Sequence, residues 1–513
     1  MARQSSDAES GGEPDREAPE RYEALLDRYR RIAYLESGSG VLYWDQQVTM
    51  PEGGTPARGK QLAALSATTH EKLTSDGMAE AIADAEDADL SEAEAANVRE
   101  IRRRHDRNRS VPESLVEELT EHTSNSQRVW QEAKAEDDFD RFAPALETLR
   151  DLQVRRAEAI DPDRPPYEVM YEDGEPYLPL DRMAEIFEEL KDALVPLIEE
   201  IQAEGDDLPS PFVEAGPYAD EEQRALSDAV LDLLGYPEEH GRLDVSAHPF
   251  TAGNQYDARI TTRFKPDDPM DALTATVHEF GHASYELGLP TERFGEPLGA
   301  SLSSGVHESQ SRFWENHVGR TKPFWEGFLP TAKEHLDGID DVTPEEAYAA
   351  VNRIYPENLI RVEADELTYH LHIILRCELD RAFVAGDLAV EELPDAWNRK
   401  MEEYLDVTPD TDAVGVLQDI HWSSRFAAFQ GYTIGSVLAA QLDHAMRRDV
   451  DDVDAKIREG DLKPLRDWMT EHVHSHGRRY PTDELVEEAT GEPLTAEYFV
   501  DYVEEKFGAL YGL

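Results

Sequence analysis

Apolar residues recur at helical spacing through Tyr22 to Leu35, Ala57 to Leu73, Leu90 to His105, Leu115 to Ala133, Phe142 to Ile160 and Met183 to Ala203. The first half of the chain therefore reads as a succession of amphipathic helices. Between Ser246 and Phe264 the period changes. There Ala258, Ile260, Thr262 and Phe264 alternate with Asp257, Arg259, Thr261 and Arg263, which predicts a strand with one buried face. Its charged face is either a solvated edge that guards against aggregation or the wall of a cleft. Helical spacing then resumes: Asp268 is a capping residue, Pro269 suits the first helical position, Leu273, Val277 and Phe280 follow, and Gly288 with Pro290 closes the segment. Further helical runs are predicted from about Leu302 to His317, ended by Gly319, and from Pro344 to Val384 with an interruption at Pro356. The last runs from Leu417 to Leu513, ending in Tyr498 to Leu510.

Hydrophobic residues make up 40% of the 513, enough for a large core, and neither a Pro/Ser/Gly linker nor an internal repeat divides the chain. Only residues 1–20, with Ser5, Ser6, Gly11, Gly12 and scattered acids, read as a disordered tail. The 110 acidic residues against 50 basic ones give a net charge of −60, spread along the whole chain. Such self-repulsion favours a protein that works where salt screens it, and the reading is adaptation to molar salt. The lack of a basic stripe argues against nucleic-acid binding. A single cysteine, Cys377, beside the apolar run Leu371 to Leu375, reads as a buried structural thiol and fits a reducing compartment. With no apolar run long enough to span a membrane and no signal-peptide core, the expected location is the cytoplasm.

Within the helix after the strand lies His278-Glu279-Phe280-Gly281-His282. Positions i and i+4 share a helix face, so the two histidines can hold one ion while Glu279 reaches water bound to it. A catalytic zinc needs a third protein ligand and an open position. Tyr285 and Gly288 stand where the metzincin extension needs Gly and His, which excludes that subclass. Glu286, Glu292 and Glu296 are available carboxylates, but Glu308 lies in the next helical run, and a returning helix brings it beside the histidines.

Five further patterns accompany the pentad in order: His248-Pro249-Phe250, Asp257 to Thr261 (DARIT), His307-Glu308-Ser309-Gln310, Ile360 to Asp365 (IRVEAD) and Gly415 to Trp422 (GVLQDIHW). With HEFGH, this ordered set resembles the carboxypeptidase Taq family of metallocarboxypeptidases over most of the chain, from about residue 20 to the terminal Leu-Tyr-Gly-Leu. The segment Ser423 to Gly431 departs from the family's Gly-rich turn and looks about one residue shorter; Tyr432 aligns with the family's tyrosine. The fold so implied is mainly α, a large single helical body of the gluzincin, neurolysin-like kind. It has a deep cleft, a small sheet beside the pentad helix, an N-terminal helical half (21–245) and a catalytic half (246–513).

The expected activity is metal-dependent release of single C-terminal residues from peptides. His278, His282 and Glu308 would hold Zn2+, for which Co2+ can substitute, and Glu279 would act as general base. The resemblance offers His421 and Tyr432 as oxyanion donors and His248, Asp257, Thr261, Gln418 and Asp419 as substrate-site residues. Arginine suits a free α-carboxylate because its planar guanidinium binds it through two parallel hydrogen bonds, and Arg361, then Arg259, are the candidates. Arg361 and Asp365 are also spaced for an ordinary helix-surface ion pair, and His421 for a core histidine. The resemblance further implies broad side-chain preference, poor release at proline and a homodimer. The alternatives are an oligopeptidase or dipeptidase using the same metal site, and a non-catalytic acidic helical binding protein.

Overall fold

The computed structural model describes residues 19–513. The expected tail lies outside the described residues except for its last two, and of these Glu20 already begins a helix. The six helices expected in the first half are present as Glu20–Val48, Thr55–Thr74, Glu92–Ser110, Glu113–Glu136, Phe139–Ile160 and Leu180–Glu204. The shorter Asp76–Glu86 and Asp220–Leu234 join them. Two large bodies of apolar side chains, with a small third at Val111, Leu115 and Leu152, hold the described residues together. The principal core runs from Trp130 to Tyr511 and takes residues from both sides of position 245. A smaller one, Tyr22 to Ile101, knits the first four helices to each other. Cys377 is buried in the principal core, and burial pushes its thiol far above the ordinary value. No helix among the described residues is long and apolar enough to cross a membrane.

The sheet has three short strands, β1 (Leu243–Val245), β2 (Thr251–Asn254) and β3 (Asp257–Thr262), in the order β1-β3-β2. β3 pairs parallel with β1 and antiparallel with β2. The single strand expected between Ser246 and Phe264 is thus a hairpin whose second arm is central. Ala258, Ile260 and Thr262 are buried as the alternation predicts. Thr261 on the other face is buried too, because its hydroxyl accepts from the Phe250 amide at 2.9 Å and ties down the segment before β2.

The expected helical run from Pro344 to Val384 is broken further than Pro356 alone would suggest. Helix Pro344–Ala350 stops early, Arg361–Glu363 is a single 3-10 turn, and helix resumes at Thr368–Ala385. Asp365 stops the turn from continuing as helix, because its carboxylate accepts from the Leu367 and Thr368 amides at 3.0 and 2.9 Å, as a cap does. The expected Arg361–Asp365 ion pair does not form. The run from Leu302 is also corrected: it is α-helical over Ser304–Arg312 and then widens into a π-helix, Phe313–Gly319, closed by the Arg320 amide donating to the Glu315 carbonyl five residues back.

Candidate metal centre and cleft

The pentad helix, Pro269–Gly288, starts where the sequence predicts: the Asp268 carboxylate accepts from the Met270 amide at 3.1 Å, with Pro269 next. Helix Ser304–Arg312 lies against it, and two glycines allow the approach. A Cβ on Gly281 would sit 2.5 Å from the Gln310 carbonyl oxygen and from the Ser311 Cα, both backbone atoms. On the far side of Glu308, a Cβ on Gly435 of helix Gln430–Asp449 would come 2.4 Å from the Glu308 Cγ. The helix that carries Glu308 is therefore clamped between two glycine-faced helices.

This packing brings His278, His282 and Glu308 together, one donor atom from each lying within 4.8 Å of the others. Glu308 Oε2 is 3.5 Å from His282 Nε2 and 4.0 Å from His278 Nε2. The other ring nitrogens are committed elsewhere. His282 Nδ1 donates to the His307 carbonyl at 3.1 Å, and since a carbonyl only accepts, the hydrogen sits on Nδ1 and the Nε2 lone pair faces Glu308. His278 Nδ1 meets the Glu315 carboxylate at 2.8 Å with the same consequence. Arg312 Nε donates to Glu308 Oε1 at 2.8 Å, leaving Oε2 free to ligate. Two imidazole nitrogens and a carboxylate oxygen with fixed tautomers fit zinc or a similar divalent ion.

A charged layer supports these ligands. Glu315 accepts from Arg320 Nη2 at 2.8 Å and Arg312 Nη1 at 3.2 Å as well as from His278. Burial alone would raise its pKa, but Arg320, Arg312 and His278 hold the carboxyl far below the usual range. Burial also pulls His278 down, and the Glu308 and Glu315 carboxylates outweigh it, so His278 stands above its ordinary value. For His282, which Glu315 does not touch, burial with the neighbouring His307 and His278 drives the value well below the ordinary one.

Glu279 is buried beside the triad, and Thr251 of β2 donates its hydroxyl to Oε2 at 2.7 Å. Burial raises the Glu279 carboxyl above the ordinary carboxylate range, toward the value a base needs near neutrality. Sequence reasoning missed Thr251, Arg312, Glu315 and Arg320. The signals available were the Arg312 and Glu315 spacings of four and seven from Glu308.

The triad opens into a cavity of about 740 Å³, which His248, Glu279, Arg361 and Tyr432 also line. Arg361 is buried on its 3-10 turn, its guanidinium 4.9 Å over the Phe429 ring and 3.7 Å from Asp419, with Nε lacking a partner among the described residues. Gln418 holds that turn: its side-chain oxygen accepts from the Arg361 amide at 2.9 Å and its nitrogen donates to the Leu359 carbonyl at 2.8 Å. Asp419 is a hub, 2.7 Å from His421 Nδ1 and 3.2 Å from the fully buried Arg376 Nε. Burial opposes its ionisation, yet the His421 hydrogen bond and the charges of Arg376 and Arg361 hold it far below the usual range. Arg376 itself, desolvated in the core, falls to about 10.

Six expected site residues do not border this cavity, Gln418 and Asp419 among them, which reach it only through Arg361. Asp257 and Arg259 pair with each other at 2.6 Å, and the Arg259 guanidinium lies 4.8 Å over Trp44 of the first helix. Thr261 is spent on the Phe250 segment as described. His421 is bonded to Asp419 and packs edge-on against Phe429. The sheet reaches the cleft through Thr251 and the His248–Phe250 segment instead of the charged face of β3.

The comparisons with known proteins agree with this geometry. The family model described as carboxypeptidase Taq (M32) metallopeptidase matches residues 24–507. Thermostable carboxypeptidase 1 of Thermus thermophilus is 40% identical over 507 residues, covering 96% of this chain and 99% of its own. Carboxypeptidase 1 of Bacillus subtilis is 36% identical, covering 95% and 98%. The crystal structure of the M32 carboxypeptidase from Deinococcus radiodurans R1 superposes with a TM-score of 0.93 at 37% identity, covering 96% of this chain and 100% of that one. A paired-histidine helix, a glutamate from the next helix and a match along nearly the full length lead to one conclusion: the chain belongs to the carboxypeptidase Taq (M32) family and is a metallocarboxypeptidase, a peptide hydrolase.

Proposed function

We propose that the enzyme removes single residues from the free C-terminus of peptides, using Zn2+ held by His278, His282 and Glu308 and Glu279 as general base. The observation that carries this reading is the convergence of two Nε2 lone pairs and Glu308 Oε2 in a cavity that also holds the incompletely paired guanidinium of Arg361. A divalent ion bound there supplies Lewis acidity, polarising the scissile carbonyl and acidifying the attacking water. Glu279 takes the proton of that water and later delivers it to the leaving amine, and Thr251 keeps its carboxylate turned toward the triad. Tyr432, whose ring also borders the cavity, is the donor for the developing oxyanion. Arg361 receives the terminal carboxylate, which supplies the charge that its distant partner Asp419 only partly balances. His421, Asp419 and Gln418 act through Arg361 by fixing the segment around it. Arg259 belongs to the first helix and the sheet and has no part in binding.

A mass-spectrometric time course in molar KCl, on a peptide with a free C-terminus and its amidated twin, tests the reading. The expected result is a chelator-sensitive ladder of one-residue losses from the free form alone. Internal or dipeptide cuts in both forms would make the enzyme an oligopeptidase instead.

A further inference from the structure

A second cavity, of about 410 Å³, adjoins the first. His282, His307, Glu308 and Tyr432 border both, so the two spaces meet at the metal triad. Arg103, Arg425 and Arg478 line only the second. Although the chain has 110 acidic and 50 basic residues, none of these three arginines of one cavity forms an ion pair among the described residues. Arg103 donates to the Glu172 carbonyl and Arg478 Nε to the Ser301 carbonyl at 2.7 Å, contacts that orient each guanidinium without neutralising it. The Asp173 carboxylate also lines the cavity, but Arg107 and Arg156 already hold it. Burial and the like charge of Arg107 pull Arg103 below its ordinary value, and the neighbouring Tyr177, Glu100 and Glu172 offset this only in part.

We propose that this cavity is a subsite for an acidic side chain of the peptide substrate, aspartate or glutamate, on the side of the scissile bond away from the terminal carboxylate. The inference rests on the carboxypeptidase reading above. Arg361 borders the first cavity and not the second, so a peptide anchored by its C-terminus at Arg361 crosses the triad and presents upstream residues to Arg103, Arg425 and Arg478. Arg103 and Arg478 are only partly exposed, and a partly enclosed charge pair is screened by salt less than an exposed one, so the preference persists in molar KCl.

The test uses peptides of one length carrying Glu, Gln or Lys at the C-terminal residue or at the first or second residue upstream of it, so that Gln separates charge from shape. kcat/KM is measured at fixed KCl for the parent enzyme, Arg425→Ala and Arg478→Ala. Arg425 is exposed, so its truncation leaves packing intact. The parent is expected to favour Glu over Gln by about tenfold at one upstream position and to disfavour Lys, with the Glu preference falling to about twofold or less in the variants. Equal rates for Glu and Gln in the parent, a preference unchanged in both variants, or a preference confined to glutamate at the C-terminal position would overturn the subsite. Absence of one-residue release from every peptide would overturn the carboxypeptidase reading and the subsite with it, a result distinct from release without preference.

Discussion

Replacing Glu315 by glutamine asks how the first histidine of the pentad is held. Glu315 is 7% exposed, and its two oxygens accept from His278, Arg312 and Arg320. Glutamine keeps the shape but offers one acceptor and one donor. With its oxygen toward His278, its NH2 meets the Arg320 guanidinium, donor against donor; turned the other way, the NH2 meets His278 Nδ1. Either orientation leaves a buried donor unmatched, strips Arg320 of its counter-charge and leaves Arg312 with Glu308 alone. Breaking a buried ionic cluster from one side costs about 3–5 kcal/mol. An acceptor behind a ligating histidine is worth about 10–100-fold in metal affinity. The carboxyl's folded pKa is depressed, so its stabilisation is present above the unfolded pKa and lost only as pH falls through the folded one. The loss in Glu315→Gln should therefore be constant between about pH 5 and 9. The assay is competition for zinc against a chromophoric chelator, paired with thermal melts of apo and loaded protein in one KCl concentration. A zinc affinity within about twofold of the parent would refute the orienting role, even with a lowered Tm. Unchanged affinity and unchanged Tm would refute the energetic argument as well.

Other consequences can be checked with equally simple variants. Gly281→Ala should push helix Ser304–Arg312 off the pentad helix, because the new methyl meets backbone, and reduce kcat by about 100-fold with the far-UV spectrum unchanged; normal kcat would contradict the clamp. Arg361→Ala should lower the kcat/KM preference for free over amidated C-termini by about 30-fold or more, whereas Arg259→Ala should leave that ratio intact; the reverse pattern would reassign the carboxylate site. Glu175 is buried, raised to about 8 by desolvation, with Oε1 accepting from the Gly305 amide at 2.7 Å. A carboxyl raised in the folded state favours folding least where it must ionise, so stability falls as pH rises from its unfolded value to about 8. Glu175→Gln should flatten that fall and melt higher than the parent at pH 9 but not at pH 5; identical melting profiles would rule it out. Raising KCl from about 0.15 to 1 M shortens the screening length from about 8 to 3 Å and should raise Tm and activity together; a Tm that falls with KCl would contradict the salt-adapted reading of the −60 charge.

The convergence of His278, His282 and Glu308 was legible because these residues sit in two local segments whose spacing is helical, and local spacing survives folding. Arg259 misled because an alternating strand says which residues share a face and not what covers that face. Here β3 is central, Asp257 grips Arg259 from two residues away, and Trp44 arrives from a helix some two hundred residues earlier. His421 reads as a cleft residue from its motif, yet Asp419 holds its Nδ1 and Phe429 flanks the ring. Thr251 was invisible for the same reason in reverse: nothing around it in the chain announces the Glu279 carboxylate, which tertiary packing delivers. The Arg361 turn was hidden by a helical period that continues through it, overridden by the capping carboxylate of Asp365.

The π-helical segment has a consequence for what lengths of chain this site tolerates. Glu308, Arg312 and Glu315 fall on one side of an α-helix, but Arg320, five residues beyond Glu315, would not. The wider turn over Phe313–Gly319 carries Arg320 back into line, completing a row of alternating charge along a single continuous helix. Winding the segment as ordinary α-helix at its full length would turn Arg320 about 140° from Glu315, whereas ordinary winding with one residue fewer between them would leave the arginine four residues beyond Glu315 and still in the row. The length of this segment and its winding are therefore fixed together, and the row is lost only when one changes without the other.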